Sequence, residues 1–494
     1  MKVFFDKGKK NKKPNFLIIM SDEHAPMFSG AYGNNIVQTP NMNQLATNGV
    51  TFDGAYCNSP LCVPSRASFM TGNFVSNCET WDNATPLSVD RLTWPYILRS
   101  IGYDVTLSGK MHLLGTDRLH GFSRQLAFDP HVDIDNLKVD KAKFGLNKDG
   151  HPIYLWEGGI PIGSNTWEGV RESGPGSSSM IEADDEIERA AIKYLDDPKR
   201  KDDPWALVVG FVAPHFPFVV PEPYFSMYYP DNCDLPLNTI EKQSQITKSQ
   251  KNLIQAFGFS GYTDDDIMRA RAAYYGLITF LDDKIGNLVN SLSENGLDRD
   301  TVIVYTSDHG ESLGEHGLWR KMNFYEESVR VPLQISWPEV LPKNKRCSSV
   351  VSLVDLTSTI IDLSGYSLDE QKNWSLDGDT LLPLMMGSDK NWKDEAFSEY
   401  FAHGTDRSRC MLRRGDWKLC FTQEGDEVEL YNLKEDPAEN VNLATDPKYN
   451  NIKKDLINSI LLIWKDPDIL NKRIKFSQES RTIIRKLSKN NPVF

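Results

Sequence analysis

The stretch "SPLCVPSRASFMTG", residues 59–72, sets Cys62 before small residues able to open a helix, with Arg66 one turn further on. A cysteine at a helix N-terminus beside an arginine has an electropositive setting. That setting suits an anion or a developing oxyanion, and it equally suits a simple thiol nucleophile. Asp22 and Glu23 follow one apolar run, and Asp308 and His309 follow another. Brought together, they would offer a hard divalent cation an oxygen-rich site, although either pair alone could instead cap a following helix. In "GKMH", Lys110 and His112 are two apart, so an extended backbone would set both on one side of the chain. The lysine would hold negative charge and the histidine would move a proton. Asn83 in "WDNA", His215 in "APHFPF" and Lys321 in "GLWRKMNFYEES" carry no assignment by themselves. A rival nucleophile lies in "GESLG", residues 310–314, which fits G-x-S-x-G with Ser312 attacking and His403 as its base. That short pattern recurs by chance and leaves "CVPSR" unexplained.

The elements that must position these residues share one plan, in which an apolar run ends in a polar cluster. "NFLIIMSDEH", "YDVTLS" before "GKMH", "WALVVGFV" before "APHFPF", and "TVIVYTSDHGES" all read as buried strands that deliver polar residues at their carboxyl ends. Between them, "TPNMNQLATNG" predicts a helix with Thr39 as cap, Pro40 at its first position and Gly49 beyond its end. A helix is also predicted around "WPYILRSIG", and a long amphipathic one between Ile267 and Leu292. Further strands are predicted at "VTFDGAY" and "VPLQISW". Strands alternating with helices imply an α/β fold, a mostly parallel sheet sandwiched by helices, with ligands bound at the carboxyl ends of the strands. From about Phe122 to Met180 the chain is rich in Gly, Asp and Pro and reads as long loops. After Gly387 the texture changes to short, turn-separated strands and a closing amphipathic helix, "IKKDLINSILLIWK". These features divide the chain into a catalytic domain, 1–387, and a smaller C-terminal domain with an antiparallel sheet, 388–494.

Composition removes several classes of function. A chain of 494 residues with 40% hydrophobic content can bury a large core. Its net charge of −13 argues against nucleic-acid binding, which depends on clustered Lys and Arg releasing counterions. No apolar run is long enough to span a bilayer, and the basic N-terminus lacks the apolar region of a secretory signal. The expectation is a cytoplasmic protein without a membrane partner, or a periplasmic one if a signal was removed. Seven scattered cysteines without a CxxC pair fit a reducing compartment.

"CVPSR" resembles the modification signature of the formylglycine-dependent (type I) sulfatases, in which the cysteine becomes 3-oxoalanine. "PNFLIIMSDEH", "TPNMNQLATNGVTFDGAY", "SGKMHLLG", "TSDHGESLGEHGLWRKMNFYEESVRVPL", "VSLVDLTSTIIDLSG" and "ELYNLKEDPAENVNLA" resemble that family's blocks, in its order. The resemblance implies an alkaline-phosphatase-like fold, a Ca²⁺ ion (Mg²⁺ or Mn²⁺ as alternatives), a maturation enzyme (formylglycine-generating or anaerobic sulfatase-maturating) and a homo-oligomer. It implies hydrolysis of a small sulfate monoester. By position, Cys62 matches the formylglycine and Arg66 its positioning partner. Asp22, Glu23, Asp308, His309 and an oxygen of residue 62 match the metal set, Glu23 and His309 being departures from the usual Asp or Gln and Asn. Lys110 and Lys321 match the sulfate-binding lysines, His112 the base and His215 the acid at the leaving oxygen. Asn83 matches a pocket residue of the choline-sulfatase branch, to which "SPLCVPSRASFMTG", "WDNA" and "SGKMHLLGTDRLHGF" are most similar. That branch's tail, which helps complete a neighbouring subunit's pocket, finds no match beyond "FSQESRTIIRKL", so choline-O-sulfate and a sulfated carbohydrate both stand as substrates. Phosphonate monoester or phosphodiester hydrolases share the metal site and the modified cysteine, and a non-catalytic sulfate-ester binder is a further alternative.

Overall fold

The structure is a computed structural model that describes residues 13–131, 168–367, 374–402, 405, 407–425 and 427–487. Its main sheet has eight strands. In chain order these are β1 (Asn15–Asp22), β2 (Val50–Tyr56), β3 (Asp104–Gly109), β4 (Arg124–Gln125), β5 (Trp205–Pro214), β6 (Thr301–Ser307), β7 (Leu333–Ser336) and β8 (Lys345–Ser352), and they lie side by side as β8-β2-β7-β6-β1-β5-β3-β4. Only β7 runs antiparallel to its neighbours, β2 and β6. β1, β5 and β6 are buried along their whole lengths, which is why they read as continuous apolar runs without alternation. Helices cover the sheet, among them α1 (Pro40–Asn48), α2 (Cys62–Thr71), α3 (Trp94–Ser100), α4 (Ser179–Leu195), α5 (Asp264–Glu294) and α6 (Leu353–Leu363).

The four strands that end in polar clusters are consecutive in the sheet, β6-β1-β5-β3, and all run in one direction. Ser21 is in register with Ser307, and Asp22 with Pro214, so the residues that follow meet at one sheet edge. The large α/β fold with an alkaline-phosphatase-like mixed sheet is thus present. A second, four-stranded antiparallel sheet follows, with β9 (Glu395–Tyr400), β10 (Arg409–Arg414), β11 (Trp417–Thr422) and β12 (Val428–Asn432) in sequential order. α7 (Asn450–Trp464) and α8 (Pro467–Leu487) close the described chain. Lys418 of β11 is fully buried between Glu326 (3.0 Å) and Glu439 (2.7 Å), which ties this sheet to the segment just after Lys321.

Several elements differ from expectation, among them the helices α6 and Lys248–Phe257, which were not predicted. α4 and α8 are helices that the periodicity reading did not identify, and β8 escaped it because "KRCSSVVS" exposes polar residues along half its length. α1 has the expected bounds, but Thr39 does not cap it with its side chain. The Thr39 hydroxyl instead accepts from the Gly30 N–H, while Asp282 of α5 takes the N–H groups of Asn41 and Met42. Most of the loop region expected between Phe122 and Met180 lies outside the described residues. Its described ends hold the short strand β4, a single turn at Glu168–Arg171 and a two-residue strand at Gly174–Pro175.

β3 and β5 approach so closely at Gly210 that a Cβ there would lie 1.8 Å from the Lys110 carbonyl oxygen. Lys110 in turn donates its N–H to the Gly210 carbonyl at 2.8 Å. Gly210→Ala must therefore push Lys110 from its place. The expected result is a loss of about 1–3 kcal/mol in unfolding free energy, measured by urea denaturation, together with a fall in activity.

Candidate active site

The site begins with the start of α2. Leu61 is extended and Cys62 takes the first helical position, with Pro64 tolerated in the first turn because its missing N–H has no intrahelical partner there. The free N–H of Val63 is capped by the Asn83 side-chain oxygen at 3.0 Å. Asn83 is thus a neighbour of residue 62 and an orienter of its helix. The loop that carries it is held from the far end of the chain, where Arg481 of α8 pairs with Asp82 at 2.7 Å.

Arg66 is buried, 1% exposed, and binds three strand ends at once. It donates through Nε to Asp308 (2.8 Å), through one terminal nitrogen to Asp22 (2.9 Å) and through the other to the Lys110 carbonyl (2.9 Å). Lys110 adds a 2.6 Å contact to the same Asp22 oxygen. One oxygen of each carboxylate is therefore committed to cations and the other faces inward, that of Asp308 also accepting the N–H groups of Glu23 (3.2 Å) and His309 (2.9 Å). Burial alone would raise Asp22, but Lys110, His215 and Arg66 outweigh it and hold the carboxyl well below its ordinary range. Burial raises Asp308, opposed chiefly by Arg66.

Ligand atoms of Asp22, Cys62, Asp308 and His309 lie within 4.8 Å of one another, all buried. The His309 Nδ1 faces the Gly310 carbonyl at 3.0 Å and must donate to it, which leaves Nε2 as a lone-pair acceptor 3.2 Å from the Cys62 sulfur. Glu23 departs from the expected single set. Its backbone has a φ of 68°, and its carboxylate lies 3.2 Å from His215 Nε2 and 3.1 Å from Lys321 Nζ, in a second group that shares Asp22. His215 donates Nδ1–H to the Phe216 carbonyl, so its Nε2 also lacks a proton. Two acceptors face each other across 3.2 Å, and a proton or a cation must sit between them. Burial raises the Glu23 carboxyl to about 8, opposed by Lys321. A buried set of carboxylate oxygens and imidazole nitrogens with inward lone pairs fits a hard divalent cation.

Lys110 and His112 do not extend along one side of the chain as expected. His112 has a φ of 59°, because the Asp129 carboxylate takes the N–H groups of both Met111 and His112 and turns the backbone. The turn brings the His112 ring to 5.2 Å from that of His131, which lies 5.3 Å from His215. His131 escaped the sequence reading. The signal was "FDPH", an aspartate and a histidine two apart after a strand, in a stretch taken for structureless loop. The three imidazoles are kept neutral by burial together with Lys110 and Lys321. Burial lowers Lys321, but the acidic groups gathered round it, Cys62, Glu23, Asp22 and Asp308, together outweigh burial and push its ammonium above the ordinary range.

Ser312 lies elsewhere in chemical terms. Its hydroxyl accepts from Asn323, and among the described residues no histidine hydrogen-bonds to it. His403 lies outside the described residues.

The sulfatase family model matches residues 14–366, and the model for the C-terminal region of N-sulphoglucosamine sulphohydrolase matches 314–465. The chain belongs to the sulfatase family. It is 35% identical over 423 residues to the choline-sulfatase of Rhizobium meliloti (strain 1021), covering 83% of this chain and 78% of that one. Its class of activity is that of these relatives, sulfuric ester hydrolysis. Among solved structures, the phosphonate monoester hydrolase of Agrobacterium radiobacter superposes with a TM-score of 0.72 at 26% identity, covering 91% of this chain and 95% of that one. A protein solved with D-glucosamine-2-N,6-O-disulfate superposes with a TM-score of 0.73 at 23% identity, covering 92% and 99%, and shows the shared fold.

Removing Arg66 from this sulfatase-family site leaves two buried carboxylates without their shared counter-ion. Arg66→Ala should lower unfolding free energy by about 3–5 kcal/mol. Arg66→Lys, unable to reach three partners, should recover less than half of that in the same denaturation experiment.

Proposed function

We propose that this chain hydrolyses a small sulfate monoester, choline-O-sulfate or a sulfated carbohydrate, with residue 62 converted from cysteine to 3-oxoalanine. The observation that carries this reading is the place of Cys62, buried at the start of α2 with its sulfur 3.2 Å from His309 and among the ligand atoms of Asp22 and Asp308. Burial and Asp22 push its thiol up to about 12, so as a plain cysteine it is protonated and poorly nucleophilic. It nevertheless sits among Asp22, Asp308 and His309, where a nucleophile is wanted. The hydrated aldehyde would supply an oxygen nucleophile in its place. Asp22, Asp308, His309 and the modified residue 62 would hold Ca²⁺, or Mg²⁺ or Mn²⁺, and Glu23 would join them on losing its proton. The cation would supply positive charge against the anionic ester.

The chain's own residues do the rest. Lys110 and Lys321 bind the sulfuryl oxygens and offset their charge. Asn83 orients the first turn of α2 and lines the pocket beside residue 62. His112, neutral because burial, Lys110 and Arg66 hold its pKa down, takes a proton as base. His215 has committed Nδ1–H to Phe216, so the proton for the departing oxygen must first be taken up at Nε2, which faces the Glu23 carboxyl at 3.2 Å. A formylglycine-generating or anaerobic maturating enzyme must act first. We further propose a homo-oligomer built from chains with domains 1–387 and 388–494, working in the cytoplasm. Among the described residues no helix is long and apolar enough to cross a membrane.

The test is sulfate release from choline-O-sulfate, sulfated monosaccharides and an aryl sulfate, using protein co-produced with a maturation enzyme. Turnover lost in Cys62→Ala supports the proposal, and a preference for a phenylphosphonate ester would favour the second reading, the phosphonate hydrolase that the likeness to the Agrobacterium enzyme suggests. Metal binding supplies a pH signature. Glu23, at about 8 without a cation, must release its proton to become a ligand, so Ca²⁺ affinity should rise from about pH 6 to about pH 8 and then level. Calorimetry should show that slope in the wild type and its absence in Glu23→Gln, and chelation should lower the melting temperature.

A further inference from the structure

His131 has a donor that no described residue takes up. Its Nε2 lies 3.3 Å from the ammonium of Lys110. An ammonium can only donate, so Nε2 is the acceptor and the ring proton resides on Nδ1. That Nδ1 is buried and has no hydrogen-bond partner among the described residues. A buried N–H without an acceptor is costly, and the ring that carries it is held by design. Asp129 accepts the His131 N–H at 3.0 Å with one carboxylate oxygen, while its other oxygen takes the N–H groups of Met111 and His112. One side chain thus fixes His112 and His131 together, and the His131 ring stands between those of His112 and His215.

We propose that His131 is a substrate-binding residue of this site, its Nδ1–H donating to a non-bridging oxygen of the tetrahedral oxyanion held by Lys110. The inference rests on the reading above that the site cleaves such an ester, and it holds for a sulfuryl or a phosphonyl oxygen alike. It separates His131 from its two neighbours. His112 and His215 move protons, whereas His131 keeps its proton and lends the N–H as a fixed dipole, so its contribution is stabilisation of charge.

The experiment compares His131→Ala, His131→Asn and His131→Gln in matured, Ca²⁺-loaded protein. The Asn amide nitrogen can occupy the place of Nδ1, and the longer Gln amide that of Nε2. His131→Ala should lower kcat/KM about 10²-fold with unchanged metal content, and weaken competitive inhibition by inorganic sulfate about 10-fold. His131→Asn should recover most of both losses and His131→Gln neither. A wild-type kcat/KM and sulfate inhibition in His131→Ala, or equal recovery by Asn and Gln, would overturn the proposal. Should the matured wild type cleave no sulfate ester, the functional reading fails separately. Titration of the same proteins with inorganic sulfate and with phosphate then decides His131 by the same order of variants.

Discussion

Two carboxylates, Asp22 and Asp308, end neighbouring strands with no exposure to water, and Arg66 is the counter-ion between them. Parallel strands β1 and β6 bring their last residues into register, so this repulsion is inherent in the sheet. A single guanidinium that bridges both, and also takes the Lys110 carbonyl, welds the ends of β6, β1 and β3 to the first turn of α2. A planar fork of five donors suits this task as a lysine cannot. Because Cys62 starts the same helix, its position follows from that bond set. The reactive residue is placed by an ion cluster rather than by packing alone.

The same cluster sorts the chemistry of its neighbours. Asp22 is held ionised by Lys110 and Arg66 beside it, while Glu23, next along the chain, is pushed to about 8 by burial. Adjacent carboxyls thus have different protonation at neutral pH. The histidines divide by the partner of Nδ1. All three carry the ring proton on Nδ1, but in His309 and His215 a backbone carbonyl takes that N–H and frees Nε2, whereas in His131 the Lys110 ammonium occupies Nε2 and the Nδ1–H has no partner among the described residues. Three rings of one residue type acquire different tasks from three local hydrogen bonds.

Much of this was legible in the sequence where an apolar run ended in a polar cluster. β1, β3, β5 and β6 declared themselves this way because strands buried on both faces cannot alternate, and their ends carry the site. Cys62, Arg66, Lys110 and Lys321 stood out through "CVPSR" and its companion blocks, and His215 only as a matched position after a strand; the structure gathers them at one sheet edge. What was not legible depends on side chains acting over distance. The turn at His112 is set by Asp129, seventeen residues away. The cap of α1 comes from Asp282 rather than Thr39, since a carboxylate from α5 outcompetes a local hydroxyl. His131 was hidden because its context lacks periodicity and its importance arises only from the ring's place between two others.

The account turns on residue 62 being an aldehyde rather than a thiol. The most direct measurement is the mass of the peptide that contains residues 59–72, from protein made with an active maturation enzyme, alongside the specific activity of the same preparation. The account predicts the mass of a chain in which the CH₂–SH group has become CHO, with activity rising in proportion to the converted fraction. Full activity in protein whose Cys62 is entirely the unmodified thiol would contradict it.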